Sequence, residues 1–178
     1  MKRAVALLAL GLFSPMIQGA VVPYLPRGAC PDAGLLFVIA FGLSLRSAAG
    51  GVALTAFVGF VSDLLSGALL GSHAFLWILV FAIARVTSLH VNLHGAFMQM
   101  SLAAGLTAFT AVGLAALTSF FGSLGVNELV APVELLRQAI VNALLAPIAL
   151  AVVARVVIRL GDDDGRRVLR LDPRGFSP

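Results

Sequence analysis

The chain has 178 residues, of which 60% are hydrophobic and 11% charged, and its mean hydropathy is +1.05. This balance excludes a water-soluble globular domain and points to an all-α integral membrane protein. The net charge of +4 rests on twelve basic residues scattered between apolar runs, with no basic patch interleaved with aromatics, which argues against nucleic-acid binding.

A hydrocarbon core of about 30 Å needs about 20 apolar residues to cross as a helix. The sequence predicts six spans, at residues 4–24, 34–45, 48–65, 73–89, 96–121 and 133–158. Lys2-Arg3 and the apolar run after them resemble a secretory signal. The run continues through Val21-Val22 without a small-x-small cleavage site, so it reads as a retained first span. Cys30 is the only cysteine; it forms no intramolecular disulfide or thiolate cluster and reads as a bystander in a loop. The second span is about 18 Å long. It must tilt little, thin the bilayer or be shielded by its neighbours. Pro31 and Asp32 before it suit a first helical turn, where proline loses no bond and a carboxylate meets the positive dipole end. Pro15 and Pro147 predict kinks in the first and last spans, each freeing a carbonyl that needs another partner.

The stretch Gly50 to Phe75 carries the densest information. Read as a helix to Leu65, it sets Gly51, Thr55, Gly59 and Asp63 four residues apart on one face. Small residues at this spacing allow another helix to approach closely in lipid, and a carboxylate there must face protein or the rim. Asp63 has two readings: it pairs with a partner helix, a cation or a ligand, or it bonds the Ser66-Gly67 turn within its own fold. Gly67 and Gly71 release the backbone for turns, and Ser72 stands where an N-cap would open the next helix.

His90 and His94 share a helical face at i, i+4, but no third ligand is near, so they read as interfacial histidines and no metal is expected. His73 joins neither. In the last span Glu134, Gln138 and Asn142 form a polar stripe, with Arg137 placed to pair with Glu134. The stripe reads as hydrogen-bonding across to another helix, with ligand binding as the alternative.

With six spans and a cytoplasmic amino terminus, ten of the twelve basic residues fall inside, namely Lys2, Arg3, Arg46, Arg85, Arg155, Arg159, Arg166, Arg167, Arg170 and Arg174; Arg27 and Arg137 fall outside. Residues 1–160 then form the transmembrane domain and 161–178 a flexible cytoplasmic tail. Catalytic constellations are missing: there is no Gly-x-Ser-x-Gly elbow, no phosphate loop and no carboxylate dyad at membrane depth, so no catalytic residue and no cofactor is expected.

Pro31-Asp32 before an apolar span, Gly51, and the run Gly59-Phe60-Val61-Ser62-Asp63-Leu64-Leu65-Ser66-Gly67-Ala68-Leu69-Leu70-Gly71 resemble the MreD family of bacterial rod shape-determining membrane proteins. Asn142, Leu145 and Pro147, followed by Arg155 and Arg159, resemble that family's final helix. The likeness covers residues 31–75 well and 141–159 moderately; Thr55-Ala56 departs from the Gly-Phe pair the family often carries. The resemblance implies a compact six-helix bundle similar to the substrate-binding components of vitamin importers. It also implies a non-enzymatic subunit of the cell-elongation complex in the bacterial inner membrane. Such a subunit binds MreC and is linked through the complex to the MreB filament, RodA and a penicillin-binding transpeptidase. On this reading Gly51, Thr55, Gly59 and Asp63 face the partner's transmembrane helix. The alternative function is a membrane carrier or binding component for a small molecule, with a cavity along Glu134, Gln138 and Asn142.

Overall fold

The computed structural model describes residues 2–21, 24, 30–45, 47–67, 69–90, 95–121 and 132–168. Its elements are α1 (Lys2–Val21), α2 (Ala33–Ser44), α3 (Ala48–Ser66), α4 (Ser72–His90), α5 (Ala96–Phe121) and α6 (Pro132–Val168). They follow the predicted runs in order. Four stretches are long and apolar enough to cross a membrane, Ala48–Ser66, Ser72–His90, Ala96–Phe121 and Pro132–Arg159, whereas Val5–Ala20 and Ala33–Ser44 are shorter. The largest departure from expectation is in α6, which continues past residue 161 to Val168 where a flexible tail was expected. A helix already nucleated adds residues one hydrogen bond at a time, so polar residues extend it more readily than they would start one. Residues 169–178 of the expected tail lie outside the described residues.

The short α2 sits at the centre and touches each of the other helices. Leu35, Leu36, Val38, Ile39, Ala40 and Phe41 are all at most 3% exposed, so shielding by neighbours is how this segment tolerates its length. Its apolar surface runs all round, as expected of a helix with no solvent face. Around it gather Leu7 of α1, Val58 of α3, Trp77, Val80, Phe81 and Ala84 of α4, Ala103 and Leu106 of α5, and Ala146 and Val153 of α6.

Helix α2 approaches α4 through glycine. A methyl at Gly42 would lie 2.8 Å from Ala84 Cβ and 2.9 Å from the Phe81 carbonyl oxygen. Both ends of α2 are capped by protein. At its start Asp32 is the N-cap, its Oδ1 accepting the Leu35 amide at 3.0 Å. At its end the Arg85 Nη1 of α4 donates to the Leu45 carbonyl at 2.6 Å. In α1, Pro15 cannot bond the carbonyl of Gly11 four residues back. The Ser14 Oγ donates to that oxygen at 3.2 Å instead.

Outward faces are apolar. Along α6, Leu136, Ile140, Leu144 and Ile148 recur every fourth residue and are all more than half exposed. In water such a stripe would drive aggregation, but in a bilayer it meets acyl chains.

Gly42→Ala is expected to force α2 from α4 and to lower stability by about 1–3 kcal/mol, read as a lower midpoint of unfolding in micelles. Gly105→Ala, where nothing lies within 4 Å of the added methyl, is expected to leave the midpoint unchanged or raise it.

Candidate functional site

The site is built at the turn from α3 to α4. Helix α3 stops because Gly67 takes the left-handed conformation at φ 66°, and Gly71 adopts φ 90° four residues later. These are backbone states that side chains with a Cβ adopt at a cost. The chain reverses within the turn, and α4 opens with its carbonyl at Gly71 accepting the Phe75 amide at 2.9 Å.

Asp63, in the last turn of α3, is fully buried and reaches across to the start of α4. Its Oδ2 accepts the amides of Gly71 at 2.9 Å and Ala74 at 3.3 Å. Its Oδ1 accepts the Ser72 hydroxyl at 3.1 Å and the His73 amide at 3.0 Å. The His73 Nδ1 lies 2.7 Å from the same oxygen. Because a carboxylate only accepts, the proton of this contact belongs on Nδ1. A carboxylate placed on a helix N-terminus meets both the unpaired amides and the positive end of the helix dipole. The His73 and Trp77 rings meet at near right angles with centroids 5.8 Å apart.

This arrangement corrects two expectations. Asp63 bonds the segment from Gly71 to Ala74 rather than the Ser66-Gly67 turn, where the Ser66 hydroxyl donates only to the Asp63 main-chain carbonyl, at 3.4 Å. Ser72 is the first residue of α4, not its N-cap, and its hydroxyl donates to Asp63. Gly71 holds the cap position, because its left-handed turn aims the next amides back at α3.

The small-residue face of α3 is likewise occupied from within. Gly51 packs under the Phe81 ring, and Gly59 lies so close to α4 that a methyl there would come 2.6 Å from Ala74 Cα. Thr55 between them is fully buried. The expectation that Gly51, Thr55, Gly59 and Asp63 face another protein's helix is therefore revised: the helix they face is α4 of the same chain. The spacing that permits close approach was legible, but it carries no information on which helix approaches.

At the same end of the bundle, Asn142 of α6 is fully buried. Its Oδ1 accepts the Asp32 amide at 2.8 Å, and its Nδ2 donates to Thr107 Oγ1 of α5 at 3.0 Å. Thr107 donates in turn to the Ala103 carbonyl at 2.8 Å. One amide thus ties α6 to α5 and to the head of α2. The rest of the stripe behaves differently: Glu134 and Gln138 are half-buried, and the expected Glu134–Arg137 pair does not form, the contact of an acid with a basic side chain among the described residues being Asp63 with His73. Helix α6 runs through Pro147 unbroken.

His90 Nδ1 lies 2.9 Å from the Val86 carbonyl, His94 falls outside the described residues, and no group of three or more metal-ligating side chains occurs among the described residues. Burial, followed by the neighbouring Asp32 carboxylate, pushes the Cys30 thiol above its ordinary range, which disfavours the reactive thiolate. Beside the α3–α4 turn an apolar cleft of about 430 Å3 is lined by Leu69, Leu70, Phe75, Leu117 and Phe121. The amides of Gly71 and Ser72 on its rim are already engaged by Asp63 and the Leu69 carbonyl.

Comparison with protein-family models, curated proteins and solved structures finds no match.

Sequence reasoning missed His73, Thr107 and the Arg85 cap. His73 had a readable signal, since a histidine ten residues beyond an aspartate across a Gly-rich turn can fold back upon it. Thr107 and Arg85 had none, because both bond partners more than thirty residues away.

Asp63→Asn presents an amide to donors that need an acceptor, and is expected to lower stability by about 1–3 kcal/mol, measured by unfolding in micelles. Asn142→Leu strands the Asp32 amide in an apolar interior; its expected loss is of the same size, about 1–3 kcal/mol, with faster hydrogen exchange at the first turn of α2.

Proposed function

We propose that this protein is a non-enzymatic, multi-pass subunit of the bacterial cell-elongation complex, similar to MreD. On this reading it crosses the inner membrane six times with both termini in the cytoplasm. It binds MreC and thereby helps connect the MreB filament to RodA and the penicillin-binding transpeptidase. The observation that carries the reading is the run from Gly59 to Gly71, whose aspartate and glycines form a capped helical turn with a defined structural task. Supporting it are the Pro31-Asp32 helix start and the Asn142 tether in the final helix. The near-complete commitment of the chain to apolar helices fits a scaffold with little soluble mass.

Because the small-residue face of α3 is closed by α4, the partner's helix docks on the lipid-facing surface of the bundle. Against the carrier reading stands Asn142, which is fully buried and engaged by Asp32 and Thr107.

Co-expression with tagged MreC and purification in mild detergent tests the proposal. Recovery of the two proteins together is expected, and depletion of this protein is expected to turn rod-shaped cells round. Failure to recover MreC, together with rods that keep their shape on depletion, would overturn it.

A further inference from the structure

The apolar face that α6 turns outward ends in charge. Leu136, Ile140, Leu144 and Ile148 are all more than half exposed, and Arg155 and Arg159 follow Ile148 by seven and eleven residues, close to two and three whole helical turns. Both arginines therefore continue the same stripe, and both are exposed. Neither has an ion pair or a hydrogen-bond partner for its side chain among the described residues.

The packing of the helices sets their height. Asn142 accepts the Asp32 amide at the head of α2, and from that level α6 runs beside α2, with Ala146 and Val153 in the core around it. Thirteen residues carry α2 from Asp32 to Leu45, and thirteen carry α6 from Asn142 to Arg155, about 20 Å in each. Arg155 thus stands level with the end of α2, where Arg85 caps the Leu45 carbonyl. Along α6 itself, Leu136 to Arg155 is about 28 Å of rise, against about 30 Å for a hydrocarbon core. The stripe accordingly fills the apolar thickness of one bilayer, and the two guanidinium groups emerge at headgroup level on the Arg85 side. Asp162 and Asp163 come only beyond them, each at i, i+4 from Arg166 or Arg167.

Two arginines one turn apart, with Cβ atoms about 5–6 Å from each other, present forked donors of the kind that match phosphate oxygens. Basic residues at the boundary of a crossing helix attract anionic lipid, whereas a zwitterionic headgroup brings its own cation, which the pair repels. We propose that Arg155 and Arg159 hold the phosphate of an anionic phospholipid whose acyl chain lies along the Leu144 and Ile148 stripe of α6. The site joins charge and apolar surface on one helix face, so it selects a lipid rather than a free anion. It rests on α6 crossing a bilayer and is independent of the partner proposed above.

Titration of the purified protein with single phospholipids, read by native mass spectrometry, tests this. For the first lipid bound, phosphatidylglycerol is expected to bind at least about fivefold tighter than phosphatidylcholine with the same chains, the factor that each basic residue near an anionic surface contributes. Combining Arg155→Gln with Arg159→Gln is expected to remove the difference. Arg137→Gln, at an exposed arginine near the other end of α6, is expected to keep it, and glycerophosphate without acyl chains is expected not to displace the lipid. No preference in the parent overturns the site and leaves the pair to an acidic protein partner. A preference that survives the double variant, or is lost equally in Arg137→Gln, also overturns it, as does displacement by glycerophosphate at equal concentration. If the double variant does not fold, the two single variants decide: partial loss of preference in each supports the site, and unchanged preference in both removes it.

Discussion

A helix too short to cross a bilayer from face to face has to be shielded by protein, and that constraint organises this molecule. Helix α2 has twelve residues, about 18 Å of rise against a hydrocarbon core of about 30 Å. Its terminal amides and carbonyls would be orphaned in lipid, where each unpaired group is expensive. The fold answers by surrounding α2 and by supplying a side chain to each end. Asp32 and Asn142 serve the start and Arg85 the finish. Because those side chains come from the flanking loop, α6 and α4, capping one helix also fixes the positions of two others.

The α3–α4 pair solves a related problem with a different device. Two adjacent helices joined by a tight turn lack a hydrophobic reason to stay together once both are in lipid. Here the glycine face of α3 lets the backbones come within van der Waals reach, and the Asp63 carboxylate occupies the amides at the head of α4. Close approach contributes dispersion along the length of the seam, and the carboxylate fixes its register. What faces the bilayer is then left to residues such as Phe57, Phe60 and Leu64 on the opposite side of α3, all exposed.

The element order was legible in the sequence because each helix is an apolar run bounded by glycine, proline or charge. Their ends were nearly so, except where the polar end of α6 carries the helix on. The importance of Asp63 was legible from chemistry alone, since a carboxylate amid apolar residues must be satisfied by something. Its partners were not, because the nearest candidate, the Ser66-Gly67 turn, loses to a helix start made reachable by two left-handed glycines. Asn142 was recognised as a polar residue at depth. Glu134 and Gln138 share its face by spacing but not its role, because α2 and α5 come within bonding distance at the level of Asn142. Periodicity reports which residues share a side of a helix; what lies against that side at each height is set by the packing of the other helices.

The unequal lengths of the outer helices bear on the bilayer itself. The α3–α4 pair has 19 residues in each helix, about 28 Å of rise. The crossing parts of α5 and α6 have 26 and 28 residues, about 39 and 42 Å. Upright, the shorter pair would match a hydrocarbon core of about 30 Å and the longer pair would exceed it. Either the longer helices lean or the leaflets stretch to meet them, and in the second case the lipid annulus would differ from one side of the protein to the other. A stretched flank of that kind would favour any long apolar span beside it, a bias in lateral association that needs no specific contact.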